Sequence, residues 1–328
     1  MHYSNCTALS PLRMAGRCYF VQQIPYFAPR KQNLEHMPTP SFQKAPFQDI
    51  IRYYDETRFD YKVAWLNEEN QAVHFGFYDR AHRTHEQALL NTNQIMAKYG
   101  GMQPGQHVLD AGCGNGGSSL WLAATNRVKA TGITPVATQV AEARLQAERR
   151  GLADQCSFIE GDYCQVPLEA NSVDVVWACE SLCHAEDKHA FYREAYRLLK
   201  PGGRLVIAEY IRYHRPYGDP LERLLLDWVN RWAIPDLDTT EEHRKYLKES
   251  GFSNIRIQDF TRFAFISLKN LYAISRRWLW ADYLLHPIGV RSRAQHNNIV
   301  GSVRQFQALR QDLWYYGLIT ARKDFGSP

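Results

Sequence analysis

One stretch constrains this chain more than any other. A short apolar segment, Val108-Leu109, ends in Asp110, and Gly112, Gly114, Gly116 and Gly117 follow before the helix-compatible SSLWLAATN begins. A strand that runs through alternating glycines into a helix makes a tight turn at the strand's carboxyl end, where backbone can approach a ligand closely. Open α/β sheets bind nucleosides at that position. Dinucleotide-binding turns also carry glycines, usually as G-x-G-x-x-G around a pyrophosphate, but an acid at Asp110 is not needed there and suits a cationic ligand.

The segments around this turn alternate as βαβ units require. After Gly100-Gly101 come HVLDAG, SSLWLAATN, VKATGI, ATQVAEARLQAERRG and CSFIEGD, which read as strand, helix, strand, helix, strand. VDVVWAC continues the series, then a helix KHAFYREAYRLLKPGG stopped by Pro201 and Gly202, then the strand RLVIAEY. EEHRKYLKESG predicts a further helix, and NIRIQDFT with WYYGLITARK predicts an antiparallel hairpin edge closing the sheet. Upstream, FQDIIRYYDETRFDYKVAWL and THEQALLNTNQIMAKYG carry apolar residues at three- and four-residue steps and predict two helices.

This gives an α/β fold class with three parts: a loose extension over 1–45, a helical lid over 46–100, and a ligand-binding domain over 101–328. Aromatic-rich segments at about 211–245 and 267–313 exceed what the sheet needs and are expected to cap the strand ends. With 45% hydrophobic and 22% charged residues the chain can bury a core, and its net charge of +5 comes from mixed signs without a basic stripe. No nucleic-acid partner is expected on that basis. Seven cysteines without CxxC spacing read as reduced thiols, pointing to a cytoplasmic protein, and no apolar run predicts stable membrane insertion. A homo-oligomer is left open.

VLDAGCGNGG, FIEGD, VDVVWACESLCH, LLKPGGRLVIAEY and YGLITARK together resemble the class I S-adenosylmethionine-dependent methyltransferases over about 103–323. The resemblance implies a Rossmann-like seven-stranded sheet and S-adenosylmethionine as cofactor. It implies that Asp110, Gly112 and Gly114 hold the methionine end and that Asp162 with Tyr163 meets the adenine. The family commonly places an acid after the second strand for the ribose; here TGITPVATQ offers Thr134 and Gln139 instead. That variant, with Tyr53-Tyr54-Asp55 and His74-Phe75-Gly76 upstream, looks like the branch of tocopherol, sterol, cyclopropane-fatty-acid and prenyl diphosphate C-methyltransferases. For Tyr53, Tyr54 and Phe75 ordinary helix packing is a strong rival reading.

Methylation of an alkene carbon leaves a carbocation, which needs aromatic faces, exclusion of water and a base. Tyr53, Trp65, Phe75, Tyr78, Trp278 and other aromatics could supply such a pocket. The branch this chain resembles has a Glu in this place beside the transferred methyl, which implies Glu180 in ACESLCH as base or cation stabiliser; His184 either orients it or completes the helix start, and Tyr53 joins them as a catalytic candidate. Cys179, Cys183 and His184 lack a second pair of ligands, so no metal site is expected. The resemblance suggests a prenyl diphosphate acceptor, farnesyl diphosphate first, with Arg276 and Arg277 among the candidate counter-charges and Mg2+ carried by the diphosphate. The alternatives are a sterol, a tocopherol-like phenol or an amine as acceptor, or a protein that binds S-adenosylmethionine without catalysis.

Overall fold

Neighbouring strand residues send their side chains to opposite faces, and Val108/Leu109, Val175/Val176 and Val206/Ile207 each divide between two separate cores. The computed structural model describes residues 50–57 and 71–325. Seven strands are formed there: β1 (His107–Ala111), β2 (Lys129–Thr134), β3 (Cys156–Glu160), β4 (Val173–Cys179), β5 (Leu199–Arg212), β6 (Ser253–Asp259) and β7 (Trp314–Arg322). They form one sheet in the order β3-β2-β1-β4-β5-β7-β6. Strands β1 to β5 are parallel, whereas β7 runs antiparallel to β5 and β6. β1 lies between β2 and β4, so the chain order reverses there and a crevice opens at the carboxyl ends of the strands.

Helix α1 comprises residues 50–57, α2 is His85–Gly100, α3 Gly117–Asn126, α4 Ala137–Arg149 and α5 Lys188–Leu198. Then come α6 (Asp219–Arg231), α7 (Thr240–Glu249), α8 (Thr261–Leu285) and α9 (Arg293–Leu309). Local sequence chemistry sets several of these boundaries. Thr84 and Gln87 form a capping box at α2, Gly101 ends it in a left-handed conformation, and Ser292 with Gln295 caps α9 in the same way. One face of the sheet buries Met96 of α2, Trp228 of α6 and Leu268 of α8; the other buries Phe191 and Tyr192 of α5 and Leu247 of α7.

The expected hairpin edge needs correction. β6 and β7 do pair, with Ile257 opposite Ile319, but α8 and α9 connect them and β7 inserts between β5 and β6. β7 is buried along most of its length and belongs inside the sheet, whereas β6 alternates between half-buried and exposed residues, as an edge allows.

The aromatic segments also divide differently from expectation. Trp228 is fully buried, its ring centroid 4.8 Å from that of Trp314 and 5.6 Å from that of Tyr210. Trp278 and Trp280 are 61% and 67% exposed. Helix α8 turns Ala264, Ser267, Ser275 and Asp282 inward, leaving the tryptophans on its outer side.

Candidate active site

The glycine turn after β1 has the geometry its sequence demands. Gly112 sits at φ +83°, and a side chain there would strike Ser181, whose hydroxyl donates to the Ala111 carbonyl across 2.5 Å. Gly114, at φ +52°, faces open space instead, so it leaves a backbone-lined cradle that a Cβ would partly fill. Asp110 lies under this loop, buried, and accepts a 2.6 Å hydrogen bond from the Ser119 hydroxyl of α3; burial pushes its carboxyl up to about 6. It is absent from the residues lining the cavity and braces the turn from beneath.

That cavity, of about 440 Å3, is lined by Gly112, Gly114, Thr134, Gln139, Asp162, Tyr163, Glu180 and His184, with Tyr54 of α1 also on its wall. Thr134 donates to Gln139 Oε1 across 2.7 Å, which fixes the glutamine and leaves its amide nitrogen for another acceptor. Asp162 accepts from the Cys164 amide at 2.8 Å, and Tyr163 donates its hydroxyl to the Ser181 carbonyl at 2.9 Å. Tyr163 thus ties the β3 end to the loop after β4.

Glu180 begins that loop with φ +52°, a left-handed conformation that costs a non-glycine residue about 1–2 kcal/mol. Its carboxylate sits between three donors. The Phe75 amide donates to Oε1 at 2.6 Å, the Tyr316 hydroxyl to Oε1 at 2.6 Å, and the Tyr210 hydroxyl to Oε2. Burial nevertheless pushes Glu180 up to about 7, the three hydrogen bonds opposing the shift. Glu180 also borders a small cavity of about 30 Å3 with Tyr53, Tyr210, Trp232 and Ile234. Phe75 lines neither cavity; its ring meets those of Tyr210 and Tyr316 edge-on, with centroids 6.2 and 6.5 Å away. Behind the site, buried Glu209 accepts from the amides of Cys183 at 2.7 Å and Tyr210 at 2.8 Å, holding the loop.

His184 contacts Tyr54 across 2.9 Å from Nε2, while Nδ1 faces the Ala233 carbonyl at 3.3 Å. A carbonyl only accepts, so Nδ1 carries the hydrogen and Nε2 accepts from Tyr54. Burial lowers His184 to about 4, so it is neutral near pH 7. Tyr53 donates to Asn298 of α9 at 2.9 Å, and Asp55 accepts from Thr138 of α4 at 2.8 Å. Three successive residues of α1 therefore reach three separate elements around the cavity.

The other expected pocket residues lie elsewhere. Tyr78 is buried away from both cavities, its amide bonded to the Phe263 carbonyl at 2.8 Å. Trp278, Arg276 and Arg277 are exposed on α8 and line neither cavity, because α8 directs that side outward. Trp65 lies outside the described residues. Sequence reasoning missed Ser181, Glu209, Tyr210 and Tyr316. The available signal was a glutamate within the apolar strand AEY, followed by a tyrosine at the strand end. His74, Cys179 and Glu180 bring ligand atoms within 4.8 Å of one another, but burial pushes the Cys179 thiol well up and both Glu180 oxygens already accept hydrogen bonds. That chemistry does not suit a metal.

A backbone cradle at a topological switch point, an amide donor and a carboxylate beside it fit a nucleoside carrying a positive centre, as S-adenosylmethionine does. The sheet order and this site define an open α/β protein with a nucleoside-type pocket at its switch point. The "Methyltransferase domain" family model matches residues 109–207. The 27-O-demethylrifamycin SV methyltransferase of Amycolatopsis mediterranei is 31% identical over 194 residues, covering 58% of this chain and 70% of that protein. Cycloartenol-C-24-methyltransferase 1 of Oryza sativa is 28% identical over 224 residues, covering 66% of this chain, and the match spans 62% of the rice protein's length. The structure of geranyl diphosphate C-methyltransferase from Streptomyces coelicolor, in complex with Mg2+, geranyl diphosphate and S-adenosyl-L-homocysteine, superposes with a TM-score of 0.65 at 18% identity, covering 84% of this chain and 97% of that one. The chain belongs to the class I S-adenosylmethionine-dependent methyltransferases.

Proposed function

We propose that this enzyme is a C-methyltransferase acting on an alkene carbon of an isoprenoid acceptor, with residues 46–100 serving as a lid. One observation carries the reading: Glu180, half-buried and held by two tyrosines, forms wall common to the large cavity and the small aromatic one. Gly112, Gly114, Gln139 and Asp162 would hold S-adenosylmethionine, which supplies an electrophilic methyl group when bound. An alkene that takes the methyl is left with a cationic carbon beside the new C–C bond. Glu180 and the rings of Tyr54 and Tyr210, which line these cavities, would stabilise that charge. Glu180, pushed up to about 7, can then accept the proton whose departure restores a double bond.

The lining favours an uncharged reacting end. Among the described residues no Lys or Arg lines either cavity, so a sterol-type acceptor, as the rice protein's name implies for that relative, needs no further group here. Farnesyl diphosphate with Mg2+ is the second reading, favoured by the likeness to the geranyl diphosphate enzyme. Its counter-charges would have to come from elsewhere, Arg58 and Lys62 being candidates outside the described residues.

Incubation with methyl-labelled S-adenosylmethionine and a panel of cycloartenol, geranyl, farnesyl and geranylgeranyl diphosphate with Mg2+, a phenol and an amine decides the matter by mass and label position. A product heavier by one methylene with the label on carbon supports the proposal, and the responding acceptor selects between sterol and diphosphate. Label on oxygen or nitrogen overturns C-methylation. Cofactor binding without transfer to any acceptor overturns catalysis of this kind.

A further inference from the structure

The outer side of α8 reverses the usual arrangement of a helix in water. Inward it buries Ser267, Ser275 and Asp282 beside Ala264 and Leu268, while Ile274, Trp278, Trp280, Tyr283 and Leu284 are exposed, and Ile288 and Val290 extend the patch into the next turn. Of the thirteen large apolar residues exposed among the described residues, nine fall between Ile266 and Val290, so the surface is concentrated in one place. Its charge is equally one-sided. Residues 260–311 contain eight Lys and Arg and a single acid, Asp282. That acid is 1% exposed and is engaged by Arg291 at 2.7 Å and His296 at 2.5 Å, which pins the α8–α9 corner from inside. Exposed Arg262, Lys269, Arg276, Arg277 and Arg293 thus have no acid of this segment beside them at the surface.

We propose that this face is a peripheral docking surface for anionic phospholipid membranes. Tryptophan and tyrosine suit the boundary between headgroups and acyl chains, and arginines on the same side attract lipid phosphates. No described helix is long and apolar enough to cross a membrane, so the contact lies in the plane of the interface. The alternatives meet like charge. A second copy packed face to face would oppose arginine with arginine. Residues 1–49 carry five basic and two acidic side chains and offer no net negative partner. The inference is independent of which acceptor is methylated.

The test is co-sedimentation of the full chain with vesicles of phosphatidylcholine alone or mixed with phosphatidylglycerol, at low and high salt. Partitioning at least about tenfold stronger on the anionic vesicles, and weakened by salt, is expected. R276E/R277E should lower it about 30-fold, and W278S/W280S about tenfold, with thermal stability and cofactor binding unchanged. Quenching of wild-type tryptophan fluorescence by brominated lipid provides a readout that needs no variant. Absence of binding, or equal binding to neutral and anionic vesicles, overturns the proposal. So does a doubled solution mass that W278S/W280S abolishes in a protein that ignores vesicles, which would make the face an interface between copies.

Discussion

The hydroxyl of Tyr316 donates a 2.6 Å hydrogen bond to Glu180 Oε1 although the two residues are 136 positions apart. Insertion of β7 beside β5 creates this contact, bringing Tyr210 and Tyr316 to the end of β4 where Glu180 starts its loop. Replacing Glu180 by Gln removes the base while preserving shape. Turnover should fall by about 10²- to 10⁴-fold, with calorimetric affinity for S-adenosylmethionine nearly unchanged. Equal loss of both would mean the residue binds cofactor.

The pH profile follows from the same carboxyl. Glu180 is neutral below its pKa of about 7, so a rate that needs the carboxylate should fall as pH drops through that value. The tyrosine hydrogen bonds favour the ionised form, and removing one raises the pKa further. Tyr316→Phe should move the acidic limb of kcat up by about one pH unit, since a hydrogen bond to a charged group is worth about 1.5 kcal/mol or more. A limb that stays in place would show that Glu180 does not control it.

Two glycines should respond differently to Ala. Both have positive φ, costing about 1–2 kcal/mol for a Cβ. At Gly112 the new methyl group also collides with Ser181, so melting temperature and cofactor affinity should both drop. At Gly114 the methyl group enters open cavity, and the loss should appear chiefly in cofactor Kd. Calorimetry beside thermal melts separates the two.

Glu209 makes a stability prediction. Burial raises its carboxyl to about 7 from an ordinary value of 4.5, so between these values the folded state binds more protons than the unfolded. Its contribution is fully present below pH 4.5 and lost as pH rises through about 7, at about 3 kcal/mol in total. His184 and His243, lowered to about 4 and about 3, act in the opposite sense, losing stability as pH falls below 6.5. Glu209→Gln should therefore flatten the decline in melting temperature between pH 6 and pH 8 relative to wild type. An unchanged slope would place the proton elsewhere.

The Tyr54–His184 contact can be tested through the cofactor. Tyr54→Phe removes one neutral hydrogen bond between α1 and the loop after β4, worth about 1 kcal/mol. S-adenosylmethionine should bind about fivefold more weakly, mainly through faster dissociation. Unaltered dissociation would show that α1 does not retain it.

Local chemistry determined much of this protein directly from its sequence. Period-two apolar segments, glycines at strand ends and capping residues act over a few positions. They place β1 to β5, the glycine turn and the α/β class, and they set Gly112, Gly114, Gln139, Asp162 and Glu180 shortly after their strands, which parallel pairing then gathers around one crevice. Tertiary structure alone decided the rest, because it depends on partners distant in the chain. Asp110 resembles a ligand contact in the motif, yet packing turns it beneath the loop to Ser119. Trp228 and Trp278 are the same residue type in similar aromatic runs, but α6 turns one into the core while α8 leaves the other in solvent. The environment of Glu180 is set by Tyr210 and Tyr316 from strands whose adjacency arises only when β7 enters the sheet, and a local pattern carries no record of that order.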